Sequence, residues 1–158
     1  MERHALELLE LPAILERLAG LAESGAGAAR ALALTPTDDV TEVVRRQALT
    51  SEAIAVLEQS AEPELADVSD VTDAAATAAR GSVLDPATLS ATARSIETGL
   101  AARAGLEALD EVPWLAGIAG AIDPSLGPLA TELGAAVEPD GSELLRCLLY
   151  TSPSPRDS

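Results

Sequence analysis

The sequence predicts an all-α fold, and three observations carry that prediction. Ala and Leu dominate the apolar residues, which make up 47% of the 158-residue chain, while Phe is absent and aromatics amount to 1%. Ala and Leu are strong helix formers, whereas strands draw on β-branched and aromatic side chains. Apolar residues recur at helical spacing, as in Leu11, Ile14, Leu15, Leu18 and Leu21. Finally, Asp85-Pro86 and Asp123-Pro124 each place a capping carboxylate before a proline. At the first helical position the missing proline N–H removes no hydrogen bond. A core made largely of Ala buries little area per residue, so modest stability is expected of the chain by itself.

The elements follow in order. Ala5 to Leu11 is apolar-rich and ends where Pro12 starts a new helix. Ser24-Gly25-Ala26-Gly27 reads as a break or loosened turn, after which Ala28 to Leu34 resumes the helix and Pro36 stops it. Asp39 caps a longer helix, with Glu42 three residues on in a capping-box-like arrangement. Its stripe is Val40, Val43, Val44, Ala48, Ile54 and Leu57, and Glu62-Pro63-Glu64 ends it. Asp70 to Ala79 is a weak, Ala-rich helix closed by Gly81. The helix opened by Asp85-Pro86 runs to about Leu109, with Leu89, Ala93, Ile96, Leu100 and Ala104 on one face. Pro113 opens a short helix from Trp114 to Ile122. The one after Asp123-Pro124 reaches about Val137, before a turn at Glu138-Pro139-Asp140-Gly141. No internal repeat and no sustained heptad pattern is present.

The formal charge is −16, and every basic residue is arginine. The absence of lysine fits a GC-rich genome better than a mechanism. Such acidity disfavours direct binding to nucleic-acid phosphates and favours solubility. It is also compatible with a surface that meets a basic partner. A single cysteine excludes an internal disulfide framework. No apolar run approaches the roughly 20 residues that span a bilayer, and Met1-Glu2-Arg3-His4 opens no signal peptide. The expected setting is a cytoplasmic one, with no membrane partner.

Character changes after Leu145. Cys147 to Ser158 is Ser/Pro-rich and lacks helical periodicity. Cys147-Leu148-Leu149-Tyr150-Thr151-Ser152-Pro153-Ser154-Pro155-Arg156-Asp157 resembles a transposase-type sequencing-library adaptor read in frame, the alternative being an ordinary disordered Ser/Pro tail. Residues 1–145 are therefore taken as the natural helical domain, incomplete at its end, and residues 146–158 as a non-native tail. The tail is expected to be disordered, since it buries too little to offset its ordering entropy.

Candidate chemistry is sparse. A Walker A phosphate loop needs glycines, Lys and Ser/Thr together; without lysine, Gly25-Ala26-Gly27 is at most a turn. His4 is the one histidine and lacks the convergent partners of a metal site or a triad. Asp38-Asp39, the set Asp67, Asp70 and Asp73, and Asp110-Glu111 are carboxylate groupings. Helix N-terminal charge explains them better than metal binding. Trp114 is expected to pack in the core or at a hinge. Arg45-Arg46 and Arg103 are the arginines to consider for phosphate contact. For the Arg45-Arg46 pair, a solvated face bridged to Glu42 is the simpler expectation. The sequence therefore assigns no catalytic, cofactor-binding or metal residue.

Four segments in order carry a resemblance. Ala5-Leu6-Glu7-Leu8-Leu9-Glu10-Leu11 with Ile14-Leu15 comes first, followed by Gly27 through Leu34-Thr35-Pro36. Gly81-Ser82-Val83-Leu84-Asp85-Pro86-Ala87-Thr88-Leu89 and Glu138-Pro139-Asp140-Gly141-Ser142-Glu143-Leu144-Leu145 follow. Together they resemble the N-terminal region of the bacterial MutS-II family, distinct from the mismatch-recognising MutS family, over about residues 3–145. The family pattern continues with aspartate-x-alanine-serine, and the chain departs from it at Arg146.

The resemblance implies an irregular helical array like the MutS core and lever region. It further implies a full-length dimeric ATPase with a clamp and usually a C-terminal Smr nuclease domain. Such proteins act on branched DNA in recombination control and repair, or on stalled ribosomes. ATP, magnesium and the DNA or ribosome contacts would belong to domains outside this chain. The expected function here is non-catalytic, with the remainder of the polypeptide as partner and a homodimer as the whole protein. The alternative is a small acidic helical interaction domain unrelated to DNA, binding a partner helix through an apolar groove. An independent enzyme lacks any convergent polar constellation.

Overall fold

The structure, a computed structural model, describes residues 9–137. The predicted opening helix before Leu9, the turn at 138–141 and the tail lie outside these residues. The described residues form seven α-helices and one 3-10 turn and no sheet, as the composition predicts.

Helices α1 (Leu11–Ala19) and α2 (Gly25–Leu32) pack together as a hairpin. The expected break at 24–27 is instead a helix start. Ser24 Oγ accepts the Gly27 N–H at 3.1 Å, which puts Gly25 and Gly27 into the first turn of α2. The cap satisfies a backbone donor that a helix start otherwise leaves unpaired. The absent Gly27 side chain also helps, since a Cβ there would meet Ser24 Oγ at 3.2 Å.

Helix α3 (Val40–Glu58) begins at Asp39, whose Oδ1 accepts the Thr41 N–H at 2.9 Å. The reciprocal half of the expected capping box is replaced. The Asp39 N–H donates to Thr37 Oγ1 at 3.2 Å, because Glu42 is taken by two arginines. The buried face of α3 is also rotated from the predicted stripe. Val40, Val44, Ile54 and Leu57 are exposed, whereas Glu52 and Val56 are buried. The helix ends in a Schellman turn. Ser60, at φ 50°, donates to the Leu57 carbonyl at 3.0 Å, and Ala61 donates to the Val56 carbonyl at 3.1 Å.

The same turn closes α4 (Thr72–Ala79), here with the predicted Gly81 at φ 75°. Gly81 donates to the Ala78 carbonyl and Ser82 to the Thr77 carbonyl. Helix α5 (Pro86–Glu107) starts at the predicted cap. Asp85 accepts the Thr88 N–H at 2.9 Å through Oδ1 and the Thr88 hydroxyl at 2.7 Å through Oδ2.

Helix α6 (Pro113–Ala119) follows. The single helix expected after Asp123-Pro124 is divided into a 3-10 turn, Pro124–Leu126, and α7 (Gly127–Ala136). Asp123 Oδ1 caps the 3-10 turn through the Ser125 N–H at 2.8 Å.

Helix α5 is the hub, packing on both α6 and α7, while α6 in turn packs on α3. The buried apolar side chains are all Ala or Val: Ala31, Val56, Ala93, Ala102, Val112, Ala119, Ala130, Ala136 and Val137. Leucines stay at the margins: Leu21 is 82% exposed and Leu32 53%. Ala104, expected on the buried face of α5, is exposed too. Small side chains let helices approach closely but remove little apolar area from water. Much of the larger apolar surface is consequently left uncovered among the described residues.

Candidate functional site

The polar side chains gather at three places. On α3, one carboxylate holds two guanidinium groups. Glu42 accepts from Arg45 Nε at 2.7 Å and Nη2 at 2.8 Å, and from Arg46 Nε at 2.6 Å. Arg46 Nη1 also donates to the Thr35 carbonyl at 2.8 Å, tying α3 to the segment that follows α2. The hydrogen bonds from Arg45 and then Arg46 hold the Glu42 carboxyl down at about 2, from 4.5. Glu42 in turn raises the Arg45 guanidinium above its ordinary value, chiefly by hydrogen bonding. The predicted Glu42 bridge to Arg45-Arg46 is thus present. A bidentate carboxylate–guanidinium pair of this kind sets geometry as well as charge.

The second place is Glu52, the one buried charged side chain among the described residues. It reaches from the middle of α3 to the start of α6. There Oε1 accepts the Trp114 N–H at 3.1 Å and Oε2 the Leu115 N–H at 2.8 Å. Val112 occupies the N-cap position of α6 and has no side-chain acceptor, and Pro113 has no N–H. Glu52 therefore caps α6 across the fold, and its charge also suits the positive end of the helix dipole. Sequence reasoning missed this residue. A usable signal existed in a glutamate spaced four residues from both Ala48 and Val56, together with a proline-initiated helix that lacks its own cap.

The third place is Arg103 on α5, which donates from Nε to Glu107 Oε1 at 2.9 Å and from Nη1 to the Ile122 carbonyl. It joins α5 to the loop before the 3-10 turn and is engaged structurally.

The remaining candidates are dispersed. Asp39, Asp70 and Asp123 hold helix or turn starts, Asp70 through the Thr72 N–H at 2.9 Å. Hydrogen bonds from Thr72 lower the Asp70 carboxyl, those from Thr88 lower Asp85, and those from Ser125 lower Asp123. Asp67 offers its carbonyl to Ser95, whose hydroxyl also meets Ser69. Asp38, Asp73, Asp110 and Glu111 are exposed.

Among the described residues no three His, Cys, Asp or Glu side chains converge on a possible metal position. Gly25 and Gly27 belong to a capped helix and no lysine stands near them, so they do not fit a nucleotide-phosphate loop. Trp114 corrects the expectation of a core anchor: its backbone is held by Glu52 while the residue is 47% exposed. His4 lies outside the described residues. No helix among those residues is long and apolar enough to cross a membrane.

The chain is similar to the endonuclease MutS2 of Pelotomaculum thermopropionicum, 30% identical over 142 residues, which is 89% of this chain and 18% of that protein. It is also similar to the endonuclease MutS2 of Acetivibrio thermocellus, 32% identical over 93 residues, or 59% of this chain and 12% of that protein. The chain thus spans less than a fifth of the length of the curated relatives it matches, and it is related to MutS2 endonucleases over that span. No family model matches it. No solved structure matches it either.

Proposed function

We propose that this chain is the N-terminal helical portion of a MutS2-type protein, a scaffold element that carries no chemistry of its own. One observation supports this above the others: similarity over 142 residues, nearly the whole chain, to a protein named as an endonuclease of which it covers 18%. The dispersal of carboxylates into helix caps agrees with a structural role. So do the uncovered apolar side chains, which suit a piece completed by further helices.

In this reading residues 1–145 are the natural helical domain and residues 146–158 are non-native. The whole protein is a cytoplasmic homodimeric ATPase with endonuclease activity, acting on DNA in recombination control or on ribosomes. ATP and magnesium bind in the ATPase domain. The four weak sequence segments and the two relatives agree on this family, which favours it over a free-standing acidic interaction domain.

The test is the uninterrupted gene from the source genome, together with ATPase and nuclease assays on the 158-residue chain. A reading frame that continues through a Walker A motif, with an inactive isolated chain, is the expected result. A stop codon soon after Leu145, or turnover by the isolated chain, overturns the proposal.

A further inference from the structure

An open groove of about 1260 Å³ runs between the α1–α2 hairpin and helices α3 and α6. Its apolar wall is Leu11, Leu15, Leu34, Leu49 and Ile118. Arg30, Arg45 and Arg46 line it as well, and Glu42 is the one acidic residue there among the described residues. A groove with three cationic side chains against one anionic is an inversion in a chain of charge −16. Small-molecule pockets run to about 300–1,000 Å³ and enclose their ligand. This groove is larger and open, with the scale of a peptide segment.

We infer that the groove receives an amphipathic helix bearing carboxylates along its edge, supplied by the part of the same polypeptide that lies beyond this chain. The inference rests on the reading of the chain as a portion of a longer protein, whose relatives extend far past the shared span. Two further features fit this occupant. A helix laid in a groove presents side chains at i, i+3, i+4 and i+7, which suits a wall of leucines. Each guanidinium carries five donors. Among the described residues Arg45 spends two on Glu42, and Arg46 spends one on Glu42 and one on the Thr35 carbonyl. Donors therefore remain on both for an incoming carboxylate, and Glu42 holds the two groups in place beforehand.

The test titrates the 158-residue chain with a synthetic 18-residue helical peptide carrying leucines on one face and glutamates on both edges. A lysine-edged twin and a short DNA duplex serve as the other probes. The glutamate peptide is expected to bind at least tenfold more tightly than its twin, to weaken with added salt, and to lose about tenfold with Arg30→Glu, an exposed position on α2. The longer product of the same gene is expected not to bind it, because its own helix fills the groove. Equal binding of the lysine peptide overturns the inference, as does displacement of the peptide by the duplex or self-association of the chain through the groove. Undiminished peptide binding by the longer product also overturns it. A gene that ends near Leu145 removes the cis helix and the functional reading together, whereas a groove that ignores the peptide sinks only this inference.

Discussion

Glu52 and Leu115 are joined by a 2.8 Å hydrogen bond between positions 63 residues apart, a side chain from mid-α3 meeting the backbone at the start of α6. With the companion bond to the Trp114 N–H, both carboxylate oxygens are used. The two donors belong to the first turn of α6, where no helical partner exists for them. This contact fixes α6 to α3 and closes one side of the small Ala/Val core.

Replacing Glu52 with alanine leaves two partly buried N–H groups unpaired. Hydrogen bonds to charged groups contribute about 1.5–3 kcal/mol each, and water entering the gap recovers part of that. Urea unfolding is expected to show a loss of about 2–3 kcal/mol for Glu52→Ala, with Glu52→Gln intermediate. A Glu52→Ala variant as stable as the parent chain contradicts the assignment of this cap.

Glu42 gives the pH dependence. Its carboxyl is held at about 2 in the folded chain against 4.5 otherwise. A carboxyl lowered on folding contributes stability above its unfolded value, and that contribution fades as pH falls from about 4.5 toward 2. Asp70, Asp85 and Asp123 shift in the same direction. Relief of repulsion in an acidic chain opposes them all, so the informative quantity is a difference. Urea midpoints of the parent and Glu42→Gln are expected to converge as pH drops from 5 to 2.5. A gap that stays constant over that range counts against the arginine-held carboxylate.

Two Schellman turns offer a matched pair. Gly81 takes the left-handed position after α4, whereas Ser60 takes it after α3 at φ 50°. A side chain in that conformation costs about 1–2 kcal/mol relative to the right-handed region. Ser60→Gly is expected to raise stability by about 0.5–1 kcal/mol and Gly81→Ala to lower it by a similar amount, both read from thermal melts. No crowding interferes at Gly81, where a Cβ would meet nothing within 4 Å.

Asp85 caps the longest helix with both carboxylate oxygens on Thr88. Asp85→Ala is expected to lower stability, and to accelerate amide hydrogen exchange in the first turn of α5 more than in its middle. Uniform exchange along α5 in the variant argues against a local cap.

The caps were legible from residue order alone. Asp85-Pro86 and Asp39 each start the helix predicted for them, and Asp123-Pro124 caps a 3-10 turn ahead of the helix expected there, because a cap depends on neighbours within about three residues. Gly81 was legible for the same reason. The buried faces were less so. Val40, Val44, Ile54 and Leu57 form a plausible stripe, but α3 turns Glu52 and Val56 inward. Hydrophobicity sets how much of a helix prefers burial, whereas the direction of the neighbouring helix sets which face obtains it. Trp114 stayed outside for a related reason: Glu52 fixes its backbone, and the position of α6 on α3 leaves the residue nearly half exposed.

Composition and order by themselves determined an all-helical chain, its punctuation by caps and prolines, and the Glu42 bridge to Arg45 and Arg46, since all of these act within one or two turns. Only the tertiary structure decided that Glu52 caps a helix 62 residues away, that the leucines stay at the margins of the small-residue core, and that three arginines share one groove. Those outcomes depend on how close helix axes come and at what angle, a property of distant segments packing together that local spacing does not encode.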